Sequence, residues 1–249
     1  MKKLLFETLP DDHVVRLALI VLQSDITIED EFRYYFSDLP VSLLVNRIPF
    51  ENEVTVETLQ QMEAHLATSM SLFPLDAEFD SLGYGCTSGA LHIGNEAIAN
   101  RVQQCRPCQT VTNPMQAAIR AMQHVGATNI AYLAPYSEAV SQTMIDRFEE
   151  KGINVAAAAT FNENQDKMVG RIAPSSIQQA ALDLADNDDV DAVFVSCTNM
   201  KCAHIIPVIE SLSNKIALSS NQVLAWDMAR QCGMAERIHN KGRLFGWKA

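Results

Sequence analysis

Tyr84-Gly85-Cys86-Thr87-Ser88-Gly89 returns 111 positions later as Val195-Ser196-Cys197-Thr198-Asn199-Met200. The same offset sets Asp25 on Tyr136 and Phe50 on Phe161 without a gap, and lays LIVLQSD (19–25) over IAYLAPY (130–136) and PFENEV (49–54) over TFNENQ (160–165). Alternation of strands and helices alone makes the halves of many chains look alike. Here, however, residues with special chemistry fall on one offset, which marks two copies of one unit.

Outward from these loops the chain alternates apolar runs with helical patterns. Val14–Leu22, Val41–Val45, Ile130–Ala134, Val155–Ala159, Val190–Val195 and Ile216–Leu218 read as strands buried on both faces, and the stretch Phe79–Tyr84 leads into the first cysteine loop. Helical periodicity covers Thr55–Ser69, a stretch from about Ala90, Gln116–His124, Glu138–Lys151, Ser175–Ala185, Ala203–Leu212 and Gln222–Cys232. This is the pattern of βαβ units, so the expected class is α/β: two similar halves, each a parallel sheet flanked by helices, related by a pseudo-twofold axis. The expected division is residues 1–112 plus 221–249 around Cys86, and 113–220 around Cys197. Ligands bind outside the carboxyl ends of parallel strands, so the two cysteine loops would face one cleft.

A chain of 249 residues, 48% apolar and 20% charged, buries a full core and carries no low-complexity tract, which argues against disorder. The net charge of −11, with no basic stripe to offset it, argues against nucleic acid and anionic membrane surfaces as partners. The run after the two N-terminal lysines is too short for a signal peptide, and no stretch of about 18 apolar residues spells a membrane span. The expected location is the cytoplasm, where six cysteines stay reduced and those in special settings are chemical.

Cys86 follows an apolar strand and opens a helix among small residues. Such a place stabilises a thiolate and brings backbone N–H groups to a carboxylate. Cys197 repeats the arrangement, with hydroxyl and amide neighbours. A lone cysteine is usually a core residue; two matching loops point to chemistry. Cys105-Arg106-Pro107-Cys108 lacks the second pair a zinc site needs, no histidine pair has ligand spacing, and Cys202 and Cys232 read as packing residues, so no metal is expected. No glycine-rich nucleotide loop is present, and no cofactor is expected. Two thiols can remove a proton beside a carbonyl and return it on the other face, or one can add to a double bond while the other moves the proton. Arg33 and Arg47 read as structural.

LIVLQSDITIEDEF (19–32), YGCTSG (84–89), LAPYSEAV (133–140), VGRIAPSS (169–176) and VSCTN (195–199) together resemble the Asp/Glu racemase superfamily, in its branch of maleate cis-trans isomerases and arylmalonate decarboxylases. The resemblance runs from about Val14 to Met228. It implies two flavodoxin-like halves, no cofactor, Cys86 and Cys197 as the catalytic pair, and a small carboxylate substrate gripped by the cysteine loops through Thr87, Ser88, Thr198 and Asn199. It also implies that Tyr136 touches substrate, and a homo-oligomer, dimer or tetramer, is the expected assembly. Decarboxylases of this branch keep only the second cysteine, so the pair favours an isomerase or racemase.

Two positions depart from the maleate isomerase pattern: Asp25 and Asp166 stand where those enzymes carry asparagine. An ionised Asp accepts hydrogen bonds only and repels a dianion. The expected substrate is therefore a nitrogen-bearing acid with its N–H groups toward Asp25 and Asp166. LQSD, EDEFR and YGCTSGA resemble the maleate-isomerase-like proteins of ectoine degradation, whose cyclic amidine acid has that character. The alternatives are that Asp25 merely caps the following helix, that the chain is a decarboxylase with Cys197 as proton donor, or that it is a non-catalytic small-molecule binding protein.

Overall fold

The structure, a computed structural model, describes residues 1–8, 14–50 and 62–247. The first half begins with β1 (Val15–Leu22), α1 (Ile28–Tyr35), β2 (Val41–Ile48) and α2 (Glu63–Ser71). It continues with β3 (Phe79–Gly85), α3 (Thr87–Ile93), α4 (Asn95–Cys105) and β4 (Cys108–Thr112). The second half holds α5 (Pro114–Val125), β5 (Asn129–Ala134), α6 (Glu138–Glu149), β6 (Asn154–Thr160), α7 (Asp166–Val169), α8 (Pro174–Ala185), β7 (Ala192–Val195), α9 (Ile206–Ser213) and β8 (Ile216–Ser219). Then come α10 (Ser220–Gln231) and the short α11 (Arg243–Gly246).

Each half is a four-stranded parallel sheet, in the order β2-β1-β3-β4 and β6-β5-β7-β8. The two orders are the same, and strands of equal rank carry the repeated motifs. The central strands are buried throughout: Leu17 to Val21 of β1 and Ala192 to Val195 of β7 have no exposed surface. Each such Leu, Ile or Val contributes roughly 1.5–3 kcal/mol by leaving water, which is why runs of them, rather than alternating patterns, mark these strands.

In both sheets the strand order reverses between the two central strands, β1 and β3 or β5 and β7. Asp25 and Cys86 leave neighbouring strand ends in the first half, and Tyr136 and Cys197 leave neighbouring ends in the second. Each half thus offers its chemical residues at the point where parallel sheets bind ligands.

The last long helix, α10, packs against β3, β4 and α5. Its Asp227, fully buried, accepts from Thr112 Oγ1 at 2.6 Å, Arg120 Nη1 at 2.7 Å and Arg230 Nη2 at 2.8 Å, which ties α10 to the end of β4 and to α5.

The observed elements extend the sequence reading, which lacked the short helices α7 and α11 and two longer elements. β4 is a strand, although CQTVT has too few apolar residues to declare one, and α1 is a helix whose first turn, Ile28-Glu29-Asp30-Glu31, hides its apolar stripe behind acidic residues. The helical pattern over Thr55–Ser69 is met from residue 63 onward. Its positions 55–61 lie outside the described residues, as do positions 51–54 of the PFENEV match.

Candidate active site

The site begins at Cys86, the N-cap of α3. Its Sγ accepts from Gly89 N at 3.2 Å and lies 3.8 Å from Ser88 Oγ. Gly89 lets the sulfur sit there, since a Cβ at that position would stand 2.9 Å from it. Cys197 follows β7, and its Sγ accepts from Asn199 N at 3.4 Å. Both cysteines are only 4% exposed.

The loops touch directly. Thr198 Oγ1, one residue past Cys197, donates to Gly85 O, one residue before Cys86, at 3.3 Å. The Tyr136 hydroxyl lies beside Cys197 and feels the charge of both thiols. Asp25 and Asp166 act electrostatically on both sulfurs. Cys86, Cys197, Asp25, Tyr136, Asp166, Thr198 and Asn199 therefore gather in one place. Thr87 is tied instead to the first residue of α10, its Oγ1 donating to Ser220 Oγ at 2.8 Å.

Asn199 joins three segments. Its Oδ1 accepts from Ile26 N at 3.0 Å, its Nδ2 donates to Asp166 O at 3.0 Å and Asp166 Oδ2 at 3.1 Å, and its carbonyl accepts from Thr27 Oγ1 at 3.0 Å. Read from the sequence as a substrate contact, Asn199 is in this structure a clamp whose amide is already occupied. Gly170 makes room for it, because a Cβ there would approach Asn199 Oδ1 to 2.8 Å and Ile26 Cγ1 to 3.0 Å. Gly170→Ala should displace the Asn199 amide and destabilise the protein by about 1–3 kcal/mol, the ordinary cost of overpacking. Thermal unfolding checks this, and an unchanged midpoint would mean the clamp yields freely.

Asp25 has two roles in its two oxygens. Oδ1 accepts from Thr27 N at 2.8 Å and Ile28 N at 2.9 Å, capping the start of α1. Oδ2 is buried and has no hydrogen-bond partner among the described residues. Asparagine would cap as well, so the cap does not explain the second oxygen. Burial pushes the Asp25 carboxyl up to about 6; the Ile28 and Thr27 N–H groups and the nearby Thr198 hydroxyl, which donates its proton to Gly85 O rather than to Oδ2, oppose the rise, and Asp166 adds to it. Asp166 is likewise raised by burial.

The thiols behave differently from the expectation of stabilised thiolates. Burial pushes Cys86 up to about 12 despite its bonds to Gly89 N and Ser88, and it raises Cys197 well above the ordinary thiol range, with Asp166 and Asp25 opposing both negative charges. The N-cap position does lower the thiol, as the sequence reading held. Desolvation and two carboxylates outweigh that effect.

Arg47 is structural, as expected: its Nη1 donates to Leu22 O at 2.9 Å and Asp25 O at 2.8 Å, and it pairs with Glu29, holding the turn that presents Asp25. Arg33 pairs with Glu29 and Asp30 on the surface. The sequence reading missed Ser24, whose buried hydroxyl lies near Asp166. Its position directly before Asp25, at a strand end, was the available signal.

Residues 94–245 match the arylmalonate decarboxylase family, more than half of the chain. The chain belongs to that family. Within it, the maleate isomerase of Alcaligenes faecalis is 23% identical over 92% of this chain and 95% of its own length. The maleate isomerase of Geobacillus stearothermophilus is 23% identical over 94% and 98%. The solved Nocardia farcinica maleate cis-trans isomerase, a cysteine-to-serine variant with a covalently bound succinylcysteine intermediate, superposes with a TM-score of 0.86 at 19% identity over 95% of this chain and all of that one. The fold of this family member, two similar α/β halves, is therefore the maleate isomerase fold. Among the described residues no helix is long and apolar enough to cross a membrane.

Proposed function

We propose that the chain is a cofactor-independent isomerase or racemase in which Cys86 and Cys197 act from opposite sides on a small, nitrogen-bearing carboxylate such as an ectoine derivative. The observation that carries the substrate class is Asp25 Oδ2, buried and unpartnered beside a second carboxylate, Asp166. A site with that acidic side discriminates against a dicarboxylate and in favour of a cationic or N–H-bearing group, because buried like charges repel strongly and a buried acceptor left unpaired is costly.

The same arrangement supplies an activation step. In the ligand-free protein the two carboxylates help keep both thiols protonated. A cationic nitrogen placed against Asp25 and Asp166 cancels that field, lowers the thiols toward ionisation and so arms the pair only when substrate is bound. One sulfur then removes the proton, or adds to the unsaturated carbon, while the other thiol delivers a proton. Tyr136, beside Cys197, is the candidate donor to the substrate or to the developing thiolate, and the hydroxyls of Ser24 and Ser88, with the N–H groups of the cysteine loops, are candidate carboxylate contacts, whereas the Thr198 proton is already given to Gly85 O.

Binding to Asp25→Asn tests the substrate class. Calorimetry with amidine-bearing acids against matched dicarboxylates should show affinity for the former falling about ten- to a hundredfold, the worth of a charge-assisted hydrogen bond, while dicarboxylates bind equally or better. Unchanged affinity for the amidine acids would remove the basis of the assignment.

A further inference from the structure

Glu31 is a buried carboxylate that the reading above does not use. It is 7% exposed, belongs to α1, and has no ion pair among the described residues. Its Oε1 accepts from Cys202 N at 2.6 Å and Ala203 N at 2.7 Å, and its Oε2 accepts from Asn221 Nδ2 at 2.8 Å. Asn221 Nδ2 also donates to Thr198 O at 2.7 Å, the carbonyl next to Cys197, whereas Asn221 Oδ1 has no partner among the described residues. The orientation of the amide is fixed by Thr198 O, which can only accept.

The three groups that hydrogen-bond Glu31 among the described residues are all donors. Protonating Oε2 would set its O–H against the Asn221 amino group, two donors face to face. Turning the Asn221 amide over relieves the conflict, because the free Oδ1 then accepts from Glu31. The turn takes Nδ2 away from Thr198 O and sets Oδ1 against it, two acceptors face to face, so the carbonyl must move off. We infer that Glu31 and Asn221 form a proton-operated latch on the Cys197 loop: ionised Glu31 keeps Asn221 bound to the Thr198 carbonyl, and protonated Glu31 releases that carbonyl.

The surroundings suit such a latch. A cavity of about 210 Å³ lined by Ile26, Thr27, Tyr34, Lys201, His204 and Glu31 itself lies beside the latch. Burial raises Glu31 to about 7; the Cys202, Ala203 and Asn221 donors oppose the rise and Asp25 adds to it. The other ionisable groups around it are Tyr34 and Tyr35 on its own helix, Asp30 at the cavity rim, and Lys201, Cys202 and His204 after β7. Lys241 stacks on the Tyr34 ring at 3.5 Å. On the packed helices α10 and α11, Asp227 is held by Arg120 and Arg230, and Arg243 by Glu210.

The test needs no substrate, so its outcome is independent of the proposed function. In amide-resolved NMR of the whole chain from about pH 5 to about pH 9, the Asn221 side-chain signals and the backbone amides of Thr198, Asn199, Cys202 and Ala203 should titrate together near pH 7. In Glu31→Gln, which offers Asn221 an N–H donor at every pH, that titration should vanish and the Asn221, Thr198 and Asn199 signals should stay at their acid-side positions. In Asn221→Ala, Cys202 and Ala203 should still titrate while Thr198 and Asn199 lose the transition. The latch is overturned if Thr198 titrates unchanged in either variant, or if Asn221 in the wild type does not titrate at all. The second variant decides the matter should Glu31→Gln not fold.

Discussion

Alanine at Cys86 should reduce turnover by about a thousandfold or more, and alanine at Cys197 by a similar factor, since each removes a group that must transfer a proton or attack carbon. The double variant should be scarcely worse than either single one, because residues acting as a unit do not add. Deuterium incorporation at the reacting carbon of a nitrogen-bearing acid in heavy water, followed by NMR, measures the effect. Folding is not expected to hide it. Losing Cys86 Sγ removes one acceptor, for Gly89 N, at the start of α3, which costs on the order of 1 kcal/mol. The decarboxylase reading makes the opposite forecast for Cys86→Ala, retained turnover with carbon dioxide released, and that result would displace the two-thiol mechanism.

The second large effect concerns stability against pH. The folded pKa of Asp25, about 6, lies above its ordinary value of 3.8, and that of Glu31, about 7, lies above 4.5. A raised carboxyl favours the fold most where it is protonated in both states. Its contribution is full below the ordinary value and is lost as pH rises through the folded one. Relative to acid solution each group therefore costs about 3 kcal/mol by pH 8, the equivalent of some two pKa units. The two costs overlap, because ionised Asp25 is part of what raises Glu31. Asp25→Asn keeps the cap, since the Asn oxygen accepts from Thr27 N and Ile28 N, and abolishes the buried charge. At pH 8 it should raise the unfolding midpoint by several degrees, on the scale of about 2–4 °C per kcal/mol for a chain of this size. Near pH 4 the gain should disappear. A variant less stable than wild type at pH 8 would show that Oδ2 is satisfied in the native protein and would also weaken the substrate assignment. A stabler, inactive variant would show a residue kept for function at the expense of the fold.

How much of this was legible in the sequence varies with the kind of interaction. The sheets were legible because central strands such as LALIVL bury both faces and so cannot alternate, and the repeat was legible because Cys86 and Cys197 sit at the same rank of strand. β4 was not, since an edge strand of five residues needs few apolar side chains. The gathering of Asp25, Tyr136 and both cysteines followed from strand order, but the division of labour did not. That Asn199 serves as a clamp, or that one oxygen of Asp25 caps a helix while the other stands unpaired, depends on distances of a few tenths of an ångström between segments far apart in the chain. Thiol ionisation was misjudged for a related reason: the helix-start contribution is local and visible in YGCTSG, whereas desolvation and the field of Asp166 come from the opposite half. Glu31 and Asn221, 190 positions apart, share no motif that would have paired them.

The repeated strand order has a bearing on ancestry. One copy of the unit holds a single cysteine of the matched pair, and the loop beside Cys86 is closed by a hydroxyl from the other copy, Thr198 to the Gly85 carbonyl. A lone unit would thus have been idle, while two identical ones meeting about a twofold axis would present two equal sulfurs to whatever lay between them. Joining the pair in one chain freed the walls to drift apart, and they have: at matching places one now offers an acid, Asp25, and the other a phenol, Tyr136. A symmetric cleft became one whose two walls differ in chemistry.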